Sequence, residues 1–249
     1  MLQADRYAKI YEIIKEKRSV TVPYLTKQLY VSEATIRRDL ENMEKQNLIK
    51  RTWGGAMIPS LERDYPPFVR EQTNIEAKEK IAKIASRFLT NSCSIFMESS
   101  STNIPLIPYI KNLKNIALIT SSLRISRIAA ENTSASIYLL GGQVYDGAIL
   151  TGIQAVESVK QYHTDIMFFS CSGISASAGI TSIEPKVLAV SQEMMKHTKK
   201  KILLCDTSKV GKDALLTLAD LTVPDYVIME RTPADTELIN ALGDRLLTK

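Results

Sequence analysis

Apolar positions in residues 5–17 recur at helical spacing, with Tyr7, Ile10, Ile13 and Ile14 on one face and Arg6, Lys9 and Lys15 on the solvated side. Ser19-Val20-Thr21 is a short β-prone link. A second helix begins at Pro23, where the missing N–H costs nothing in a first turn, and runs through Leu29. Tyr30 and Val31 make a turn, and Ser32, a favoured N-cap, starts a third helix. Ile36, Leu40 and Met43 follow the i, i+4, i+7 rhythm there, so Ala34, Thr35 and Arg38 point outward with Arg37 on the flank. Residues 48–52 with the Gly54-Gly55 pair predict a β-hairpin whose tip carries Lys50 and Arg51.

Pro59, Pro66 and Pro67, interleaved with Glu62, Arg63 and Asp64, read as a stiff polar connector. The chain therefore divides into a domain at 1–58, a linker at 59–75 and a larger domain at 76–249. Residues 76–89 form an amphipathic helix with Ala77, Ile81, Ile84, Ala85 and Phe88 inward and Lys78, Lys80, Lys83 and Arg87 elsewhere. Short apolar runs follow at 94–97, 116–120, 137–140, 166–169, 202–205 and 226–229, separated by helical segments. Such alternation predicts an α/β domain with a mostly parallel sheet covered on both faces, and ligands in such sheets bind beyond the carboxyl ends of the strands.

The net charge of +5 is unevenly placed, because residues 1–60 hold eleven Lys and Arg against seven Asp and Glu, giving +4. Attraction to a polyanion thus belongs to the N-terminal part. Cys93, Cys171 and Cys205 show no paired spacing and read as buried thiols in a reducing compartment. His163 and His197, the two histidines, have no ligand-like spacing, so neither a metal site nor a cofactor is expected. The first residues lack the apolar core of a signal peptide, and no apolar run reaches the length of a membrane span, so a cytoplasmic protein with no membrane partner is expected.

A helix that presents Ser32, Ala34, Thr35, Arg37 and Arg38 suits a DNA groove: small side chains allow close approach, and Arg grips phosphate or a guanine edge. Helix, turn and exposed second helix lay a recognition element in the major groove, and Lys50 and Arg51 reach the backbone from the hairpin. Trp53 either packs under that hairpin or meets DNA at its tip. In the larger domain the first run ends in Glu98-Ser99-Ser100-Ser101-Thr102, whose hydroxyls stand at a strand-to-helix junction and suit a phosphate. Ser121, Gly141 and Gly142 follow the next two runs, and Lys209 in Asp206-Thr207-Ser208-Lys209 supplies a point charge. A small phosphorylated metabolite fits these loops jointly. Pro108 removes a backbone donor and should kink or delay the helix after the first loop.

Val31-Ser32, Thr35-Ile36-Arg37-Arg38-Asp39-Leu40 and Arg51-Thr52 with Gly54-Gly55-Ala56 closely resemble the winged helix-turn-helix of the DeoR family of bacterial transcription regulators. The remainder resembles the DeoR-type sensor domain, through Leu139-Leu140-Gly141-Gly142, Gly152, Asp165, Gly173, Gly179-Ile180-Thr181 and Asp206-Thr207-Ser208-Lys209. The resemblance implies a Rossmann-like sensor related in fold to ribose-5-phosphate isomerase and glucosamine-6-phosphate deaminase. It also implies a repressor of a carbohydrate-metabolism operon, modulated by a sugar phosphate. The family's first loop reads Asp-x-Gly-Thr-Thr; here Glu98, Ser100 and Ser101 replace its Asp, Gly and first Thr, and Thr102 is retained. Ser170 stands where Gly is usual, and Trp53 where His or another polar residue is.

Two other functions compete. An isomerase or deaminase would need a poised general base, for which Glu98, Asp165 and Asp206 are the carboxylates available. An effector-blind regulator would use the larger domain only to oligomerise. A homodimer or homotetramer is expected either way, because paired half-sites give a short recognition helix its affinity.

Overall fold

The computed structural model describes residues 3–45, 48–57 and 67–249. Connector residues Pro59, Glu62, Arg63, Asp64 and Pro66 lie outside the described residues. The chain forms two compact units, Met1–Thr73 and Asn74–Lys249.

In the first unit α1 (Gln3–Lys17) is followed by β1 (Ser19–Thr21), α2 (Val22–Leu29) and α3 (Glu33–Lys45). The hairpin β2 (Lys50–Thr52) and β3 (Gly55–Met57) comes next, and α4 (Pro67–Gln72) falls within the stretch assigned from sequence to the linker. The strands pair antiparallel in the order β1-β3-β2. Thr21 caps α2 by accepting from the Tyr24 N–H at 3.4 Å, and Tyr30 ends it in the left-handed region with its own N–H on the Thr26 carbonyl at 3.0 Å. Tyr7, Ile10 and Ile14 of α1 meet Leu25 of α2 and Ile36, Leu40 and Met43 of α3 in one core. Gly55 is required for closure, since a Cβ there would lie 1.9 Å from the Val20 carbonyl oxygen.

Arg6 departs from its expected solvated position. Its guanidinium bonds Asp39 of α3 through Nε, and through a second nitrogen at 3.0 Å. The Asp39 side chain is only 2% exposed. Helical periodicity treats every charge as solvent-seeking, but a carboxylate carried inward by α3 recruits the planar fork of an arginine at the margin of α1. The hydrogen bond to Asp39 holds the Arg6 pKa above its ordinary value.

The second unit begins with α5 (Ile75–Ala85), β4 (Ser94–Met97), β5 (Ala117–Thr120), α6 (Leu123–Asn132) and β6 (Ser136–Leu139). It continues with β7 (Gln143–Tyr145), β8 (Ile149–Thr151), α7 (Ile153–Val159), β9 (Thr164–Phe169), β10 (Gly173–Ser175), β11 (Gly179–Ser182) and α8 (Pro185–Lys196). The chain ends through β12 (Thr198–Leu204), β13 (Leu216–Ala219), β14 (Tyr226–Ile228), α9 (Thr236–Leu242) and β15 (Leu246–Leu247). A seven-stranded sheet in the order β15-β14-β12-β9-β4-β5-β6 is parallel throughout.

Alternate residues of the central strands enter opposite layers. Phe96, Met167, Phe169 and Leu203 pack with Val159 of α7, Met194 of α8 and Leu238 of α9. Ile95, Met97, Phe168 and Leu204 pack with Ile81 of α5 and Ile125 of α6 on the other side. Burial on both faces explains why β4, β5, β9, β12 and β14 read as apolar runs, whereas the edge strand β6 exposes Tyr138 and Leu139. The two-residue β15 and the antiparallel groups β7–β8 and β10–β11–β13 were not foreseen, because short strands such as Gly173-Ile174-Ser175 carry no such run. After β4 Pro105 and Pro108 leave a 3-10 segment, Ile104–Ile110, in place of an α-helix.

Asp165 stands at the amino end of β9. It accepts from the Ser94 N–H at 3.0 Å, the Ser94 hydroxyl at 2.7 Å and Lys199 Nζ at 2.8 Å. The Lys199 hydrogen bond, followed by the two from Ser94, lowers its pKa to about 2. This carboxylate therefore ties strand starts together, at the end of the sheet opposite residues 98–102.

Two outcomes follow. Asp39→Ala, which takes the Asp39 carboxylate from the Arg6 guanidinium, should cost about 3 kcal/mol. The loss would be read as weakened hydrogen-exchange protection of α1 and α3 in the full chain. For Asp165 the folded pKa lies below the unfolded one, so its stabilisation is complete above about pH 4 and disappears as pH falls towards about 2. Thermal midpoints of wild type and Asp165→Asn should differ near neutral pH and converge across that acid window.

Candidate functional site

On α3 the Ser32 hydroxyl accepts from the Thr35 N–H at 3.3 Å and lies 2.9 Å from the Thr35 hydroxyl, fixing the first turn. Ala34, Arg37 and Arg38 are exposed, and Thr35 is half-buried. Arg37 is held by Glu33 one turn earlier at 3.3 Å. The Arg51 N–H donates to Glu44 Oε1 at 2.8 Å, which fastens β2 to α3. Lys50 and Arg51 are exposed on β2, but the hairpin tip is Trp53-Gly54 and Lys50 pairs with Met57 at its base. Trp53 is fully exposed, which resolves its position in favour of the tip. Gly54, at φ 86, makes the turn. Tyr30, between α2 and α3, is 93% exposed, an aromatic that no local pattern in the sequence flagged.

In the second unit β4 and β9 are neighbours, yet the chain leaves β4 towards β5 and β6 and leaves β9 towards β12, β14 and β15. That reversal is a topological switch point, where a crevice opens beyond the strand ends. Glu98 to Thr102 follow β4, and Ser170 follows β9. The Lys209 ammonium lies 3.0 Å from the Ser170 hydroxyl and 3.9 Å from Asp206. Ser170 lies 3.5 Å from the Thr102 hydroxyl. Lys78 of α5 is buried and donates to the Ser101 hydroxyl at 3.2 Å. Asn74 donates to Asp206 Oδ1 at 3.0 Å and to the Ser208 hydroxyl at 3.1 Å. Burial pushes the Asp206 carboxyl up, but the Lys209 charge, the Ser208 hydroxyl and the Lys78 charge outweigh it and hold its pKa below the ordinary value.

Ser100 adopts no positive φ, and its hydroxyl takes the Thr102 N–H at 3.1 Å, closing the first loop on itself. Glu98 and Thr102 are buried, and Ser99, Ser100 and Ser101 half-buried. Ser121 is buried at the end of β5, next to β4. Gly141 and Gly142 are exposed after β6, two strands from β4.

Lys78 and Asn74 complete the cluster although neither was given a site role from sequence, and Ser170 and Asp206, noted there as a departure from the family's Gly and as an available carboxylate, join them. Lys78 was read as solvated and is buried. Its position three and four residues before Ile81 and Ala82 puts it on their apolar stripe, and that was the available signal.

Residues 6–62 match the DeoR-like helix-turn-helix domain and residues 73–231 the DeoR C terminal sensor domain. The chain is 30% identical to the HTH-type transcriptional repressor GlcR of Bacillus subtilis, over 99% of this chain and 96% of that protein. It is 27% identical to the glycerol-3-phosphate regulon repressor of Escherichia coli, over 94% and 93%. Its fold is like that of the translation initiation factor eIF-2B of Pyrococcus horikoshii OT3, with a TM-score of 0.50, 11% identity and coverage of 92% and 88%. A winged DNA-binding head and a Rossmann-like sensor unit define a transcription regulator. The chain belongs to the DeoR family of these regulators.

Proposed function

We propose that the protein is a cytoplasmic repressor of a carbohydrate-metabolism operon whose grip on its operator is modulated by a sugar phosphate. The observation that carries the effector is the switch-point cluster. Two ammoniums, Lys78 and Lys209, lie among the hydroxyls of Ser101, Thr102 and Ser170, with carboxylates Glu98 and Asp206 alongside. Ammonium and hydroxyl groups suit a phosphate, and carboxylates accept from sugar hydroxyls. Ser99, Ser100, Ser121, Gly141 and Gly142 belong to the surrounding loops. The name of the Escherichia coli relative, a glycerol-3-phosphate regulon repressor, agrees with this ligand class.

Operator DNA meets Ser32, Ala34, Thr35, Arg37 and Arg38 on α3, with Lys50, Arg51 and Trp53 on the wing. The domain limits are 1–58 for DNA binding, 59–75 for the linker and 76–249 for the sensor. Two or four copies bind together, so that paired recognition helices read paired half-sites. A regulator is favoured over an isomerase or deaminase: Asp165 is at the wrong end of the sheet, Asp206 is engaged by Asn74 and Ser208, and Glu98, the remaining carboxylate, is buried and accepts from the Ser99 hydroxyl at 3.3 Å.

Arg38→Ala should weaken operator binding by about 1 to 3 kcal/mol if Arg38 reads a base. Equal affinities in salt-matched titrations would remove it from the interface. Calorimetry against a panel of sugar phosphates should find a ligand that Lys209→Met binds at least about tenfold more weakly and that shifts operator affinity about 5- to 150-fold. A panel with no binder would leave an effector-blind, oligomerising regulator.

A further inference from the structure

The cluster sits beside two thiols that the proposed function does not use. Parallel register pairs Phe169 of β9 with Leu203 of β12. Two residues further on, Cys171 and Cys205 stand side by side with their Sγ atoms 3.6 Å apart. Both belong to the same apolar layer; Cys205 is fully buried and Cys171 is 9% exposed. Adjacent strands stand about 4.8 Å apart. That spacing falls inside the Cα separation of about 4.4 to 6.8 Å that a disulfide spans. Cys93 immediately precedes β4, at the opposite end of the sheet.

We propose that Cys171 and Cys205 form a dithiol modification site that hydroperoxides convert to an intramolecular disulfide. The Cys171 thiolate attacks the peroxide oxygen, the O–O bond breaks, and the departing oxygen takes a proton to leave water or an alcohol. Cys171 is then a sulfenic acid. The Cys205 sulfur attacks it, the S–S bond forms, and hydroxide leaves as water with the thiol proton. Two thiols are oxidised and one peroxide is reduced. A small-molecule dithiol reverses the change by exchange.

The roles are unequal. The contact with Cys205 lowers the Cys171 pKa, and the Lys209 charge adds to this against the opposing effect of burial. The same contact and burial raise Cys205. Burial also raises Cys93. Cys171, which reaches the surface while Cys205 is fully enclosed, is therefore the attacking thiol and Cys205 the resolving one.

The modification reaches the sensor through neighbours in sequence. Cys171 follows Ser170, and Cys205 precedes Asp206, the two residues beside Lys209. Bonding the sulfurs draws them together by about 1.5 Å and pulls on both neighbours. The disulfide form should thus hold a phosphorylated ligand less well, a consequence that rests on the effector reading above.

Full-length protein would be treated with hydrogen peroxide, alkylated and mapped by peptide mass spectrometry. The expected product is a linked pair of peptides carrying Cys171 and Cys205, two hydrogens lighter, with Cys93 still alkylated and full reversal by dithiothreitol. Cys205→Ser should give a Cys171 sulfenic acid that dimedone traps, whereas Cys171→Ser should leave both remaining thiols intact. Three unreacted thiols, or oxidation at Cys93 first, would overturn the proposal. In a second arm, inorganic phosphate is titrated into reduced and oxidised protein, with at least about a fivefold weaker affinity expected for the oxidised form. Equal affinities overturn the coupling. Linkage without phosphate binding to either form upholds the thiol site and counts against the effector reading instead.

Discussion

Parallel strands can be joined only by crossovers, and those crossovers are right-handed, so the direction in which each one leaves decides where a parallel sheet opens. In the larger unit the connections from β4 and β9 diverge, which opens a crevice beyond the carboxyl ends of these two neighbours. Ser101 and Thr102 enter this crevice from one side, Ser170 from the other, Lys209 from beyond β12 and Lys78 from α5. Five groups from four segments of the chain converge because one topological reversal gives them a common destination. The apolar layers on both faces, with Phe96, Phe168 and Phe169 fully buried, hold the strand ends that present them.

The strands were legible because double-sided burial writes itself into sequence as apolar runs, and the N-terminal helices because one-sided burial writes itself as a helical period. Pairings between distant residues leave no such trace. Arg6 and Asp39 are 33 positions apart, and Arg6 read locally as ordinary surface charge. Lys78 and Ser101 belong to different elements, so their meeting depends on how α5 packs against the sheet. The loop after β4 was recognised as the place to look, but its internal bonding was not, because a serine hydroxyl turning back on the Thr102 N–H is one of several options open to Ser100.

This bonding gives the crevice its character. Ser100 stands where the family's loop has glycine, and it supplies from within the chain a bond that an anion would otherwise make to the Thr102 N–H. Lys78 and Lys209 likewise rest on serine hydroxyls, Ser101 and Ser170. A ligand at the site proposed above would exchange existing hydrogen bonds for new ones. Its affinity is therefore a difference between two well-satisfied states, which favours discrimination over tight binding.

The wing tip carries a different consequence. Trp53 is the one tryptophan in the chain, and it stands clear of the core at a turn that Gly54 makes and the close packing of Gly55 anchors. The larger unit has tyrosines but no indole. Tryptophan emission from the intact protein thus has a single origin, an exposed side chain on the wing where DNA contact is proposed. The molecule carries its own optical label, placed at the DNA-binding head and silent about everything else.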